Sequence, residues 1–127
     1  MKRLLPIALV TLTMACASKE WMYKGMHDGV DVSYRWSHPT GRPSELLLRL
    51  ENTTAEDRQA RVVIDLYYQG LTVETFTADT CIKAGQTLNR RMNGIYFIPA
   101  RLTTEQIRSG DAKAEMTRST IQAGACP

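Results

Sequence analysis

The side chains of this 127-residue chain with the most chemistry to offer are three thiols and two imidazoles: Cys16, Cys81, Cys126, His27 and His38. A zinc site built from them fails on spacing, because structural zinc draws its four ligands from close Cys or His pairs, and none of these residues forms such a pair. His27 stands beside Asp28 and offers half of an acid–base or metal pair. Next to the Asp28-Gly29 turn, a surface histidine is the simpler reading. His38 precedes Pro39 in a loop. Asp31, Asp65 and Asp79 fall on separate segments without the spacing of a working carboxylate pair. H-E-x-x-H, G-x-S-x-G, the Walker loop and G-x-G-x-x-G do not occur in the sequence. The sequence therefore points to no catalytic residue, no metal and no cofactor, and reads as that of a non-enzyme.

Cys16 has a context that the other cysteines lack. Lys2 and Arg3 are followed by an apolar run over residues 4–14, interrupted by Pro6, Thr11 and Thr13, and then by Ala15-Cys16. The run has the length of a signal-peptide h-region and falls short of the roughly 20 apolar residues that span a bilayer. Leu12-Thr13-Met14-Ala15-Cys16 resembles the lipobox of bacterial lipoproteins, departing from it in Thr13, where leucine is favoured. The resemblance implies cleavage before Cys16 and attachment of a diacylglyceryl group, with palmitate-type chains, to its thiol. Each methylene buried in lipid contributes about 0.8 kcal/mol, so several chains make a firm anchor. Ala17, in place of an aspartate, implies by the same resemblance sorting to the outer membrane. The alternative is an ordinary signal peptide cut near Ala15 or Ala17. On the lipoprotein reading, residues 1–15 are signal peptide, 16–20 the lipidated N-terminus and a short linker, and 21–127 the domain.

Export changes what charge and cysteine count mean. The net charge of +3 shrinks once Lys2 and Arg3 leave, since 14 of the 16 basic side chains then face 13 acidic ones. A near-neutral domain whose densest basic feature is Arg90-Arg91 lacks the basic face that phosphate neutralisation needs, so nucleic acid is excluded as a partner. An odd cysteine count in an exported protein normally leaves a thiol to explain. Lipidation of Cys16 removes that oddity and leaves Cys81 and Cys126 as a pair in an oxidising compartment, where a disulfide persists. Asn52-Thr53-Thr54 matches the N-glycan acceptor pattern, a coincidence in a bacterial lipoprotein.

The elements that position these residues read mostly as short strands. With 43% hydrophobic and 23% charged residues, the chain can build a core. Val30, Val32, Tyr34 and Trp36 alternate with Asp31, Ser33 and Arg35, the period of a half-buried strand. Residues 46–51 repeat the pattern. Residues 60–68 carry it furthest, with Val62, Ile64, Leu66 and Tyr68 on one face and Arg61, Val63, Asp65 and Tyr67 on the other. Gln69-Gly70 reads as a hairpin turn into a strand over 71–78. Residues 21–27 fit either an edge strand or a packed arm. A polar strand over 87–92, a turn at Asn93-Gly94, a short strand over 95–98, one helical turn over 103–108 and a last strand over 112–117 complete the series. Short strands with turns every 8–12 residues indicate an all-β, antiparallel β-sandwich. Over residues 28–118 the pattern resembles immunoglobulin-like domains of bacterial surface proteins, without the Cys-Trp-Cys arrangement of true immunoglobulin domains, since Trp36 precedes both Cys81 and Cys126.

The function expected from this is a membrane-anchored, non-enzymatic interaction or structural module at the cell envelope. Its partner, an envelope protein, would meet Val63, Asp65 and Tyr67 together with the loop carrying His38 and Arg42. The alternative is a glycan- or small-ligand-binding module that uses Tyr67, Tyr96 and nearby loops.

Overall fold

Uninterrupted alternation builds the first sheet. The structure is a computed structural model that describes residues 21–89 and 95–127. The signal segment 1–15, Cys16, the linker 16–20, Arg90-Arg91 and the Asn93-Gly94 turn lie outside the described residues. Strand β1 (Met22–His27) turns at Asp28-Gly29 into β2 (Val30–Ser37), which runs antiparallel to β3 (Glu45–Asn52). Asp28 and Gly29 both have positive φ, 47° and 81°, the pair that lets a two-residue hairpin follow the twist of its strands. A side chain at position 29 would also run into the Thr54 methyl. Val30, Val32, Tyr34 and Trp36 lie opposite Asn52, Leu50, Leu48 and Leu46, which puts the apolar row of each strand on the same side.

The chain then crosses to a second sheet. Strand β4 (Arg58–Tyr68) turns at Gln69-Gly70 into β5 (Leu71–Ile82). It returns to the first sheet as β6 (Thr87–Leu88) and β7 (Ile95–Phe97), which share the free side of β3. Helix α1 (Thr104–Arg108) leads into β8 (Ala112–Ala123), which pairs with the other side of β4. The result is an all-β sandwich of two antiparallel sheets, β1-β2-β3-β6 with β7 also on β3, and β5-β4-β8.

The inward rows meet in the middle. Leu46, Leu48, Leu50, Val62, Ile64 and Leu66 are all buried to 2% exposure or less, and removing one leucine of this kind from water contributes about 2–3 kcal/mol. Phe76 of β5 and Phe97 of β7 stack across the sheets with ring centres 4.2 Å apart. Helix α1 closes one end of the core. Thr103 caps it, accepting from the Gln106 N–H while Gln106 reaches back to the Thr103 N–H, and Leu102 and Ile107 are pressed inward.

Several strand limits differ from the sequence reading, β6 for one ending at Leu88, and the largest difference has a visible cause. The last strand extends to Ala123 instead of ending at residue 117. A bulge lies there: Val63 pairs with Arg118 and Ile64 with Met116, leaving Thr117 extra. Its hydroxyl donates to the Val63 carbonyl at 3.5 Å. The inward set therefore switches from Ala112, Ala114 and Met116 to Ser119 and Ile121, which erases the period-two signal. Strand β5 carries a slip near its start, where Leu66 pairs with Glu74 and Tyr67 with Thr72, and runs in unbroken register past residue 78 to Ile82. Strand β4 begins at Arg58, two residues earlier than its alternation suggests. Of residues 21–27, Met22–His27 form an edge strand, with a register shift between Tyr23 and Met26.

Candidate functional site

The outward row of β4 becomes the spine of a sheet face. Val63 lies between Thr77 of β5 and Arg118 of β8, Asp65 between Thr75 and Glu115, and Tyr67 between Thr72 and Lys113. The Thr75 hydroxyl donates to Asp65 Oδ1 at 2.6 Å. Arg61 Nε is 4.0 Å from Asp79 Oδ1, with both side chains mostly exposed, so that pair contributes little. Val63, Asp65 and Tyr67 are each half-buried. Shallow depressions run along the face. One of about 460 Å³ is lined by Arg61, Asp79 and Gln122, one of about 370 Å³ by Val63, Thr77 and Arg118, and one of about 450 Å³ by Tyr67, Asp111, Lys113 and Glu115. Beyond the β5-β4-β8 pairing, β1 reaches this sheet at its β8 edge, where Lys24 meets Glu115. The face offers threonine hydroxyls, charges of both signs and two apolar spots.

The structure places Val63, Asp65 and Tyr67 on one outward row of β4, and His38 and Arg42 in a loop of the first sheet. Both lie in the loop between β2 and β3, where the Arg42 N–H donates to the Pro39 carbonyl at 3.3 Å. His38 Nδ1 is 2.7 Å from Ser44 Oγ, and the Ser44 N–H donates to Thr104 Oγ1 of α1 at 3.3 Å. The loop is thus braced on the helix. Ser44 is only 1% exposed, so the serine–histidine contact does not present its hydroxyl to a substrate. Burial first, and the Arg108 guanidinium second, lower the His38 pKa from its ordinary 6.5. The folded state therefore disfavours the imidazolium, and the unfolded chain binds the proton more readily. The stabilising contribution of neutral His38 is complete above pH 6.5 and declines as pH falls through that value. Thermal unfolding followed from neutral to mildly acidic pH is expected to show a falling midpoint in the native protein and a flatter one in His38→Gln.

The outer face of the first sheet holds what the sequence reading missed. The bulge in β1 brings Tyr23 and Met26 to the same side, opposite Ser33 and Asp31. The Tyr23 hydroxyl donates to Asp31 Oδ1 at 2.9 Å, and this bond above all raises the tyrosine pKa from 10.0. The Arg35 guanidinium lies 4.7 Å over the Trp21 ring. Leu47 and Tyr96 continue the Arg35 row across β3 and β7. Lys24, on the other side of β1, reaches Glu115 of β8 at 3.0 Å. Residues 21–27 carry aromatic and methionine side chains that hint at this surface, but the bulge hides which of them share a face. Tyr67 and Tyr96 project from different sheets and do not form one aromatic platform.

Other chemistry-bearing residues take structural positions. Cys81 and Cys126 are joined by a disulfide with Cα atoms 5.5 Å apart. His27 Nε2 is 3.3 Å from the Lys24 carbonyl. Asn52, the first residue of the acceptor-like triplet, is fully buried and its amide is taken up by internal hydrogen bonds. Among the described residues no three of His, Cys, Asp and Glu gather as a metal site would require. No described helix is long and apolar enough to cross a membrane.

These features define a class: a small antiparallel β-sandwich whose distinctive surfaces are its two sheet faces. No protein-family model, curated protein or solved structure matches this chain.

Proposed function

We propose that this protein is an exported lipoprotein, anchored through Cys16 to the outer membrane, whose immunoglobulin-like sandwich acts as a non-enzymatic interaction module. Its partner is an envelope protein that docks on the outer face of β5-β4-β8. The observation that carries this reading is the outward face around Val63 and Tyr67: half-buried apolar side chains on a central strand, ringed by threonines and charges of both signs. Such mixed surfaces suit a reversible contact. The lipobox-like segment supports the anchor, and the Cys81–Cys126 bridge suits an oxidising compartment. The immunoglobulin-like reading is supported by interlocked pairing: β3 receives β6 and β7, and β4 receives β8, only after the chain has visited the opposite sheet.

The test is photo-crosslinking in intact cells, with a benzophenone amino acid in place of Tyr67 or Val63 and, as a comparison, of Leu71 at the hairpin tip. A discrete adduct from positions 63 and 67 and none from 71 is the expected outcome. No adduct from any position, or the same diffuse ladder from all three, overturns the docking face. A second reading rests on the depression beside Tyr67, where an aromatic ring, Asp111, Lys113 and Glu115 surround a space of about 450 Å³ suited to a sugar. Calorimetric titration with envelope glycan fragments gives heat that Tyr67→Ala abolishes if that reading holds.

A further inference from the structure

The opposite face of the sandwich, the outer side of β1-β2-β3, has a different character. Tyr23 is 61% exposed and Met26 55%. Trp21 lies beside them under Arg35, and Tyr96 extends the same surface across β7. Arg35 and Arg49 offset two of the three carboxylates in these rows, Asp31, Glu45 and Glu51, with Arg49 3.8 Å from Glu51 and Glu45 buried, so the face has aromatic rings and a thioether and only a small net charge. Tryptophan and tyrosine, with an apolar body and a polar edge, are the residues that settle at the boundary between lipid headgroups and acyl chains.

Covalent length discriminates between the two sheet faces, and the exposed Tyr23 and Met26 then select the first sheet's face over its edges. Cys16 precedes Trp21 by five residues, and five residues reach at most about 18 Å. A domain of this size is about 35 Å across. Turning the β4 face toward the bilayer would lift Trp21 by the full thickness of the sandwich, two sheets about 10 Å apart plus the side chains on both outer faces. That exceeds or exhausts the tether. Laying the Trp21–Tyr23–Met26 face down leaves it slack.

We infer that the outer face of the first sheet, centred on Trp21, Tyr23 and Met26, is a membrane-contact surface that rests in the headgroup region of the bilayer holding the anchor. This rests on the proposed lipidation of Cys16. It orients the domain so that Val63 and Tyr67 point away from the membrane, toward a partner.

The experiment is hydroxyl-radical footprinting of the protein purified from membranes and reconstituted into vesicles of phosphatidylethanolamine and phosphatidylglycerol. The comparison is the mature chain with Cys16→Ser mixed with the same vesicles. Tyr67 and Leu71 serve as internal references on the far side. Tyr23 and Met26 are expected to oxidise several-fold more slowly in the anchored protein, with the references unchanged. Met26→Asp, at an exposed rim position, is expected to restore Tyr23 oxidation to the unanchored rate. Equal rates on both faces, or protection of Tyr67 instead, overturn the contact surface while leaving the anchor intact. Intact mass of the same sample separates the two claims, because an unlipidated mass overturns both.

Discussion

Replacing Asn52 with alanine is expected to lower the free energy of unfolding by about 3–5 kcal/mol, near the top of the range for single substitutions. Asn52 ends β3 and its side chain is fully buried. Its amide nitrogen donates toward three carbonyls, of Glu56 at 2.8 Å, Ile82 at 3.0 Å and Lys83 at 3.2 Å. Its oxygen accepts from the Thr54 N–H at 3.0 Å and the Thr54 hydroxyl at 2.7 Å. One side chain thereby ties the end of a first-sheet strand to the 53–57 loop and to the end of β5 in the second sheet. Alanine deletes the amide but leaves its partners where they are, and each buried carbonyl or N–H stripped of a partner costs about 1–3 kcal/mol. The Thr54 hydroxyl lies 2.9 Å from the Glu56 carbonyl, and with the Asn52 oxygen gone its single proton is free to be donated there, so the losses fall short of their full sum.

Asn52→Asp makes a sharper test. It is nearly isosteric, but a carboxylate oxygen would face the three carbonyls that now receive an N–H. The folded state can hold this group only as the neutral acid, so its pKa would rise on folding. Stability of the variant should then increase as pH falls from neutral toward the ordinary carboxylate range, opposite in sign to the His38 effect. Urea titrations of Asn52→Ala and Asn52→Asp at two pH values check both claims. Equal losses at both pH values for Asn52→Asp would mean that the site relaxes and admits water.

Asn52 also shows what the sequence conceals. It reads as the first residue of a polar loop, and nothing local marks its amide as buried, because two of its partners lie 30 and 31 residues away. The inward faces of β2, β3 and β4 were legible because each keeps an unbroken two-residue period. The outward trio Val63, Asp65 and Tyr67 was legible for the same reason, since a residue absent from the inner row of a strand must be on its outer row. The bulges in β1, β5 and β8 defeated that logic. Each inserts a residue and flips the phase, and in β8 that makes a continuing strand look as if it ends at residue 117. Joining His38 and Arg42 to the β4 face rested on no register at all. Their loop is placed by Ser44 meeting Thr104, a contact across 60 residues that periodicity cannot foresee.

Removing the Cys81–Cys126 bridge is expected to lower stability by roughly 4 kcal/mol on the chain-entropy model. The bridge spans 45 residues, a loop large enough that constraining it in the unfolded chain outweighs most single contacts. In the folded state the same tail has a second hold. Asp57 Oδ2 accepts from the Cys126 N–H at 2.9 Å and Oδ1 from the Ala84 N–H at 3.0 Å. The Asp57 carbonyl accepts from the Gly124 N–H at 3.2 Å. The Cys126 and Ala84 bonds, aided by the Lys83 charge, lower the Asp57 pKa from its ordinary 3.8. Its contribution is therefore present above that value and disappears as pH falls through the lowered one. The two devices act on different states: the disulfide restricts the unfolded chain, while Asp57 holds the folded tail. Cys81→Ser/Cys126→Ser should thus lower the urea midpoint yet keep residues 124–126 docked at neutral pH. Adding Asp57→Asn to that pair should release them, seen as faster amide exchange in the tail and the end of β8. A bridged protein in which Asp57→Asn alone frees the tail would show that the carboxylate, and not the disulfide, positions Cys126 in the native state.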